Sequence, residues 1–336
     1  MSQKIITKIF NYAAGEGADN LVITRQANQL ILDCYFAGRA KRSLVLPKKL
    51  EQELFSSLRR ILTVAPGEFT IQKYGRLPHR TGCLNFYLTI LPEANGEKII
   101  INLIKPPATL WRLNQLGLQR SELQEIKKSL GLKSGLILIG SPGGGGKSAT
   151  LNSLLLELSD SNKSIYSFLK HRAYEIPGIV SLVPNATNWE KILTLDSEII
   201  LADDLDETNA LGLAIRAATS GRLVFGTIEA DNSWEVLEKI IAWPLPLKLK
   251  LDSLKMIVSQ RLAVLKRKVK KTAPDQRRAI GLFEILKITP VLKKFLIEAR
   301  GQEFKSYQAK LEKLALKNGF RPLADDHFRK TKDGLI

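Results

Sequence analysis

Gly135-Leu-Ile-Leu-Ile-Gly140-Ser141-Pro142-Gly143-Gly144-Gly145-Gly146-Lys147-Ser148-Ala149 is the stretch that decides how this chain folds. An apolar run of strand length gives way to consecutive glycines, then to Lys147 and Ser148, then to a helical pattern. That order makes a phosphate-binding loop. Glycines let backbone N–H groups turn inward around phosphate oxygens, and the helix N-terminus adds partial positive charge. Ser141, Pro142, Gly143, Gly144, Gly145, Gly146, Lys147, Ser148 and Ala149 are therefore the expected nucleotide cradle. Lys147 would reach the terminal phosphates of ATP, and the Ser148 hydroxyl would sit on Mg²⁺. One position departs from G-x-x-x-x-G-K-[ST]. Counting back from Gly146-Lys147, the first glycine falls on Ser141, and Gly140 stands one place early.

Two later strands end in groups that suit such a loop. Ile199–Ala202 is apolar and runs into Asp203, Asp204 and Asp206. An acid at a strand's end can hold the water shell of Mg²⁺ beside Ser148. The same acids would also cap a helix starting near Thr208, where negative charge is favoured. Leu223–Ile228 reads as a buried strand with Thr227 and Glu229 at its end, where a polar group can sense the γ-phosphate, or simply as core strand with a solvent edge.

Around these, strand and helix alternate from about residue 109 onward. Strands are expected at Leu136–Ile139, Ile165–Leu169, Ile179–Val183, Ile199–Ala202 and Leu223–Ile228. Helices are expected at Arg120–Leu130, Lys147–Leu158, Trp189–Leu195, Thr208–Thr219 and Ser233–Ile241, with Ser121 and Gln124 as a capping box for the first. Alternation of this kind builds a largely parallel sheet with helices on both faces. Ligands bind at the carboxyl ends of its strands. Beyond Pro244 the pattern predicts a helix over Leu249–Gln260, a basic strand, a strand at Ala279–Leu286 and three short helices.

Residues 1–108 read as a separate, small α+β domain. A helix spans Lys4–Ala13, and strands span Asn20–Ile23 and Gln29–Phe36, followed by a turn at Ala37-Gly38-Arg39. A helix runs from Leu46 to Leu62, and a hairpin joins Cys83–Leu91 to Glu97–Ile104. Lys105-Pro-Pro-Ala-Thr is the expected linker.

Composition sets the class. With 336 residues, 44% hydrophobic and 25% charged, the chain can bury two cores and reads as globular. No apolar stretch approaches the roughly 20 residues of a membrane span. Met1-Ser-Gln-Lys-Ile-Ile has neither the apolar core nor the cleavage site of a signal peptide, so the cytoplasm is the expected compartment. Two cysteines, Cys34 and Cys83, are too few for a zinc site, and His79, His171 and His327 share no ligand spacing. The net charge is +18, and Arg261–Arg278 carries eight Lys and Arg against one Asp. It has no interleaved aromatics to stack on bases, so no nucleic-acid module is read there. A solvated strand and loop, or a surface for an anionic membrane or an acidic partner, are the open readings.

With these segments placed, the chain resembles the type II secretion / type IV pilus assembly ATPase family. Gly135–Ser148 is similar to that family's phosphate loop, Asp196–Glu207 to its second acidic motif, and Gly221–Ala230 to its histidine box. Ser259-Gln260-Arg261-Leu262 is similar to its Ala-Gln-Arg-Leu, and Arg278–Leu286 to its C-terminal Arg-x-Gly-Ile-Tyr-Glu-Leu. The resemblance implies a RecA-like P-loop core, a preceding small domain and a helical C-terminal region. It implies a homo- or hetero-hexameric ring that binds ATP and Mg²⁺ and acts on an inner-membrane platform protein, with peripheral association at the inner face of the bacterial membrane.

The resemblance also exposes replacements. The family's first acidic pair falls on Leu169 and Lys170. The second motif's glutamate falls on Asp204, which the resemblance makes the metal-holding and catalytic acid, and its arginine on Asp206. The box histidines fall on Arg222 and on Glu229, the second candidate catalytic residue beside Glu175 and Asp231. Paired arginines fall on Glu190 and Thr194, and those of the small domain on Asp33, Tyr35, Tyr87 and Asn102. Removing one group that stabilises developing charge commonly costs about 10²–10³ in rate. The expectation is a fold that binds ATP and hydrolyses it poorly or not at all, with an active motor and a non-catalytic basic scaffold as alternatives.

Overall fold

The computed structural model describes residues 2–15, 18, 20–26, 29–36, 39–62, 65, 70–79, 82–93, 96–104, 111–169, 176, 178–182, 186–206, 209–266 and 279–336. The chain divides into two compact units, one over Met1–Ala108 and one over Thr109–Lys170 and Glu175–Ile336.

In the first unit the elements are α1 (Ser2–Gly15), β1 (Asn20–Gln26), β2 (Gln29–Phe36), β3 (Arg39–Pro47), α2 (Glu51–Leu62), β4 (Thr70–His79), β5 (Gly82–Glu93) and β6 (Gly96–Ile104). The strands form an antiparallel sheet in the order β3-β2-β1-β6-β5-β4. Side chains alternate across a strand. Leu21, Ile23, Leu30, Leu32, Phe86, Leu88, Ile99 and Ile101 therefore share one face, which closes on Ile6 and Phe10 of α1 and on Leu54 and Leu58 of α2.

Two of these strands escape the sequence pattern. Leu44 and Leu46 point toward the core from β3, while Ser43 and Val45 are exposed, so Leu46 belongs to a strand and not to the helix expected from it. The helix begins at Glu51 after a 3₁₀ turn over Lys48–Leu50, and Arg39 opens β3 instead of closing a turn. β4 is an edge strand bearing Gln72, Lys73, Gly75, Arg76 and Pro78, which mask its period. The linker at Lys105–Thr109 lies outside the described residues.

The second unit runs α3 (Arg120–Leu130), β7 (Gly135–Ser141), α4 (Lys147–Leu158), β8 (Ile165–Phe168), β9 (Ile179–Ser181), α5 (Ala186–Thr194), β10 (Ile199–Ala202), α6 (Ala210–Thr219), β11 (Leu223–Glu229), α7 (Ser233–Ala242), α8 (Leu247–Ser253), β12 (Leu254–Val264), β13 (Ala279–Lys287), α9 (Pro290–Glu298), α10 (Phe304–Lys317) and α11 (Leu323–Lys332). The sheet order is β13-β12-β7-β11-β10-β8-β9, parallel throughout except for β13. Both faces are covered. Leu136 and Leu138 of β7 join α6, α7 and α8 on one side, whereas Ile137 and Ile139 join Leu151, Leu154 and Leu155 of α4 on the other. The fold is thus α/β with a mostly parallel sheet and a helical C-terminal region.

Two local expectations are corrected. α3 is capped from Gln119, whose N–H donates to Glu122 Oε2 at 2.7 Å, and not from Ser121. The helix expected over Leu249–Gln260 stops at Ser253, and Leu254–Val264 is a strand between β7 and β13. Met256, Ile257 and Val258 are all buried, because a strand covered on both faces has no polar side to alternate with.

The C-terminal helix is fastened by a buried ion pair. Lys330 Nζ donates to Asp326 Oδ2 at 2.5 Å and to Gly281 O at 2.5 Å, and Phe283 N–H donates to Asp326 at 3.0 Å. Burial pushes the Asp326 carboxyl up, but the hydrogen bonds from Lys330, Arg329 and Phe283 outweigh it and hold it below the ordinary carboxylate range. Among the described residues no helix is long and apolar enough to cross a membrane.

Candidate nucleotide-binding site

The site lies at the carboxyl edge of the parallel sheet. β7 ends at Ser141, the loop turns through Pro142–Gly146, and α4 starts at Lys147. Gly144 (φ 75°) and Gly146 (φ 95°) take the left-handed backbone that glycine tolerates best. A Cβ at Gly145 would stand 1.8 Å from Ser141 Oγ. That hydroxyl donates to Pro142 O at 2.9 Å, and Gly145 N–H also donates to Pro142 O, at 3.1 Å. Gly140 has a different duty: a Cβ there would meet Val236 of α7 at 2.5 Å. The glycine that stands one place early serves helix packing, and Ser141, fully buried, occupies the loop's first position.

The polar groups converge as the chemistry requires. Lys147 Nζ folds over the loop onto Ser141 O at 2.8 Å and Pro142 O at 3.4 Å. Ser148 Oγ donates to Asp203 Oδ2 at 3.4 Å. Thr227, fully buried on β11, donates to Asp203 Oδ1 and accepts the Asp204 N–H at 2.8 Å. Glu229 Oε1 accepts from Gly143 N–H at 3.1 Å. Glu229's own N–H donates to Asp206 Oδ2 at 2.6 Å, and Lys239 Nζ donates to its carbonyl. Asp231 is ion-paired to Arg261 at 3.1 Å. Ala149, in the first turn of α4, accepts from Ser153 Oγ at 2.8 Å.

The acid set against Ser148 is Asp203, whereas Asp204, the position aligned with the family's glutamate, gives its N–H to Thr227. The reason is local. Asp204 adopts φ 50°, and this left-handed turn directs the chain away just after Asp203 continues the β10 edge with its N–H on Phe168 O at 3.0 Å. Of the two readings open for the end of β11, γ-phosphate sensor or core strand with a solvent edge, Thr227 lies in the core and holds Asp203.

A family model described as "Type II/IV secretion system protein" matches residues 1–319. The chain belongs to the type II/IV secretion system protein family. It is similar to the type II secretion system ATPase E of Vibrio cholerae, with 24% identity over 268 residues that cover 77% of this chain and 53% of the relative. It is also similar to the type IV pilus assembly ATPase PilB of Thermus thermophilus, with 25% identity over 248 residues, 71% of this chain and 28% of the relative. The chain thus spans about half the length, or less, of these relatives. Among solved structures, the pilus retraction motor PilT with bound ADP shares the fold at a TM-score of 0.73 and 18% identity, covering 98% of this chain and 94% of that one. The Legionella pneumophila ATPase DotB does so at 0.68 and 18%, covering 100% and 94%.

Within this secretion-ATPase fold the replaced positions now have places. Leu169 follows β8 on the same sheet edge as the loop, and it is a buried member of the apolar cluster around α4. Lys170, His171, Arg172 and Glu175 lie outside the described residues. Arg222 precedes β11, at the opposite end of that strand from Glu229, and donates to Ser197 Oγ, Leu193 O and Leu195 O at 2.9–3.0 Å. Arg222 therefore lies away from the loop's edge. Glu190 is exposed on α5, and Thr194 Oγ1 donates within its own helix to Lys191 O at 2.7 Å. In the first unit, Tyr35, Asn102 and Tyr87 fall in one row through the pairs Asn20–Tyr35, Asn20–Asn102 and Tyr87–Asn102. That row lies on the sheet face turned away from α1 and α2, and Asp33 accepts there from Ser43 Oγ at 2.6 Å.

Asp203 is among the three acids expected at the end of β10, although the resemblance points to the next position, Asp204. One contributor lies outside the residues that the sequence pattern singles out for the site: Gln260, whose side chain donates to Gly145 O. A glutamine soon after the apolar run Met256–Val258 was the available signal.

Proposed function

We propose that this chain is an ATP-binding subunit of a type II secretion or type IV pilus machine, and that it hydrolyses ATP weakly or not at all. It would work within a homo- or hetero-hexameric ring against an inner-membrane platform protein, at the cytoplasmic face of the bacterial membrane. The observation that carries this reading is the contrast along one sheet edge. The loop, Lys147, Ser148 and Asp203 make a complete set for a bound Mg-nucleotide, while a buried leucine stands where the family places a carboxylate.

The residues fit the cofactors. Ser148 and Asp203 offer hard oxygen donors of the kind Mg²⁺ takes, and the metal usually keeps several waters between itself and such acids. Bound there, Mg²⁺ would offset the charge of the β- and γ-phosphates. The loop amides and Lys147 would do the rest of the binding. Hydrolysis asks for more: a group that orients the attacking water and donors for developing charge.

One observation favours turnover. Glu229 reaches the loop's outer amide at Gly143, so an acid does stand near the end where a γ-phosphate would lie. In that second reading the chain is an active motor and Glu229 orients water.

Titrating Mg·ATP into the full chain and into Lys147→Ala tests the first claim. Each charge-assisted hydrogen bond lost contributes about 1.5–3 kcal/mol, so the substitution is expected to weaken binding by about 100-fold. Equal affinity for the two proteins would remove the loop from the account.

A further inference from the structure

We infer that Gln260 is a positioning residue that holds the phosphate loop in a ligand-ready shape; the inference rests on the nucleotide-binding reading above. Gln260 lies toward the end of β12, the strand next to β7, and is 2% exposed. Its Nε2 donates to Gly145 O at 2.8 Å, and its Oε1 accepts from Thr150 Oγ1 at 2.6 Å. A backbone carbonyl can only accept, so the NH₂ end must face Gly145 and the oxygen must face Thr150. One side chain thereby straps the loop's backbone to the helix that follows it.

The strap has a directional effect. The Gly145–Gly146 peptide is trans. In a planar trans peptide the C=O and N–H point to opposite sides. Drawing Gly145 O toward Gln260 on β12 therefore turns the Gly146 N–H the opposite way, away from β12. Space confirms the fit: a Cβ at Gly146 would stand 2.9 Å from Gln260 Nε2, at a residue whose φ of +95° already favours glycine. A loop held in this way before the ligand arrives loses less affinity to ordering. Gln260 acts through Gly145 and has no reacting atom to touch, so its signature is affinity and loop order, not chemistry.

The full chain is compared with three variants, using Mg·ADP as the probe. Calorimetric titration gives affinity, hydrogen exchange of the 141–150 peptide in nucleotide-free protein gives loop order, and thermal melting checks the fold. Gln260→Leu keeps the volume and removes both hydrogen bonds. It is expected to weaken Mg·ADP about tenfold, as loss of a buried hydrogen bond of ~1.4 kcal/mol would, and to speed exchange in 141–150 while exchange in the first unit stays unchanged. Thr150→Val removes the hydrogen bond to Gln260 Oε1, loosening the strap at its helix end, and is expected to cost roughly threefold, whereas Thr150→Ser restores the wild-type affinity. Binding by Gln260→Leu within about twofold of wild type, with unchanged loop exchange, overturns the inference. If the wild type binds no Mg·ADP, the nucleotide reading fails and the exchange arm alone decides: a loosened loop in Gln260→Leu upholds the strap, and an unchanged loop refutes it. If Gln260→Leu does not fold, Thr150→Val against Thr150→Ser supplies the same contrast, and equality of those two overturns it.

Discussion

The loop between β7 and α4 and the strand end at Leu169 share one edge of one sheet, and they are built from opposite chemistry. The loop gathers left-handed glycines, a lysine folded over the backbone, and Ser148 facing an acid that Thr227 holds in place. Three strands away, after β8, Leu169 closes the edge with a buried apolar side chain packed into the α4 cluster. A binding surface and a reacting surface need different things. Binding needs fixed donors, which backbone and one lysine supply, whereas hydrolysis needs an oriented water. The difference teaches that a phosphate loop is evidence for a ligand and not, by itself, for a reaction.

The largest effect should come from forcing the second region back toward the first. Leu169→Glu would bury a carboxylate among apolar side chains and lose the leucine's packing, at a cost of about 3 kcal/mol or more. Urea unfolding should show that loss without any gain in ATP turnover. A neutral substitution would mean that Leu169 is not core and that this edge still has room for an acid.

Next in size is the division between neighbouring acids. Asp203→Asn should weaken the Mg²⁺-dependent part of ATP affinity by about 10–100-fold, the usual range for a residue that orients a metal's ligands. Asp204→Asn should change it by less than about threefold, the scale of a surface substitution. Titration of ATP with and without Mg²⁺ separates the two, and a reversed order would return the metal to Asp204.

The smallest effect concerns Glu229, at the end of β11, the strand beside the loop's β7. Glu229→Gln removes a negative charge beside Gly143 N–H and should leave ATP affinity equal or tighter by roughly threefold, as expected for one partly exposed charge. A fall in turnover in place of that small gain would support the motor reading.

Much of this was legible in the sequence, for definite reasons. The phosphate loop and the strands flanking it have a strict order of apolar run, glycines and Lys-Ser, and α4 and β10 fall where the pattern puts them. β12 was misread because buried parallel strands lack alternation, and β4 because edge-strand polarity hid it. The site was harder. Which of Asp203 and Asp204 faces Ser148 depends on a φ of 50° that no spacing reveals. Gly140's task depends on Val236 of α7, far along the chain. Arg222 looked like part of a catalytic box because it lies in the same short motif as Glu229, yet a strand places the two at opposite ends of the sheet.

The most direct test of the central claim is turnover by the purified full chain under saturating Mg·ATP, with binding measured on the same sample and Lys147→Ala beside it. Lys147-dependent binding is expected, with phosphate release far below about 1 s⁻¹, the low end of usual enzyme rates. Release at about 1 s⁻¹ or faster, abolished by Lys147→Ala, would contradict it.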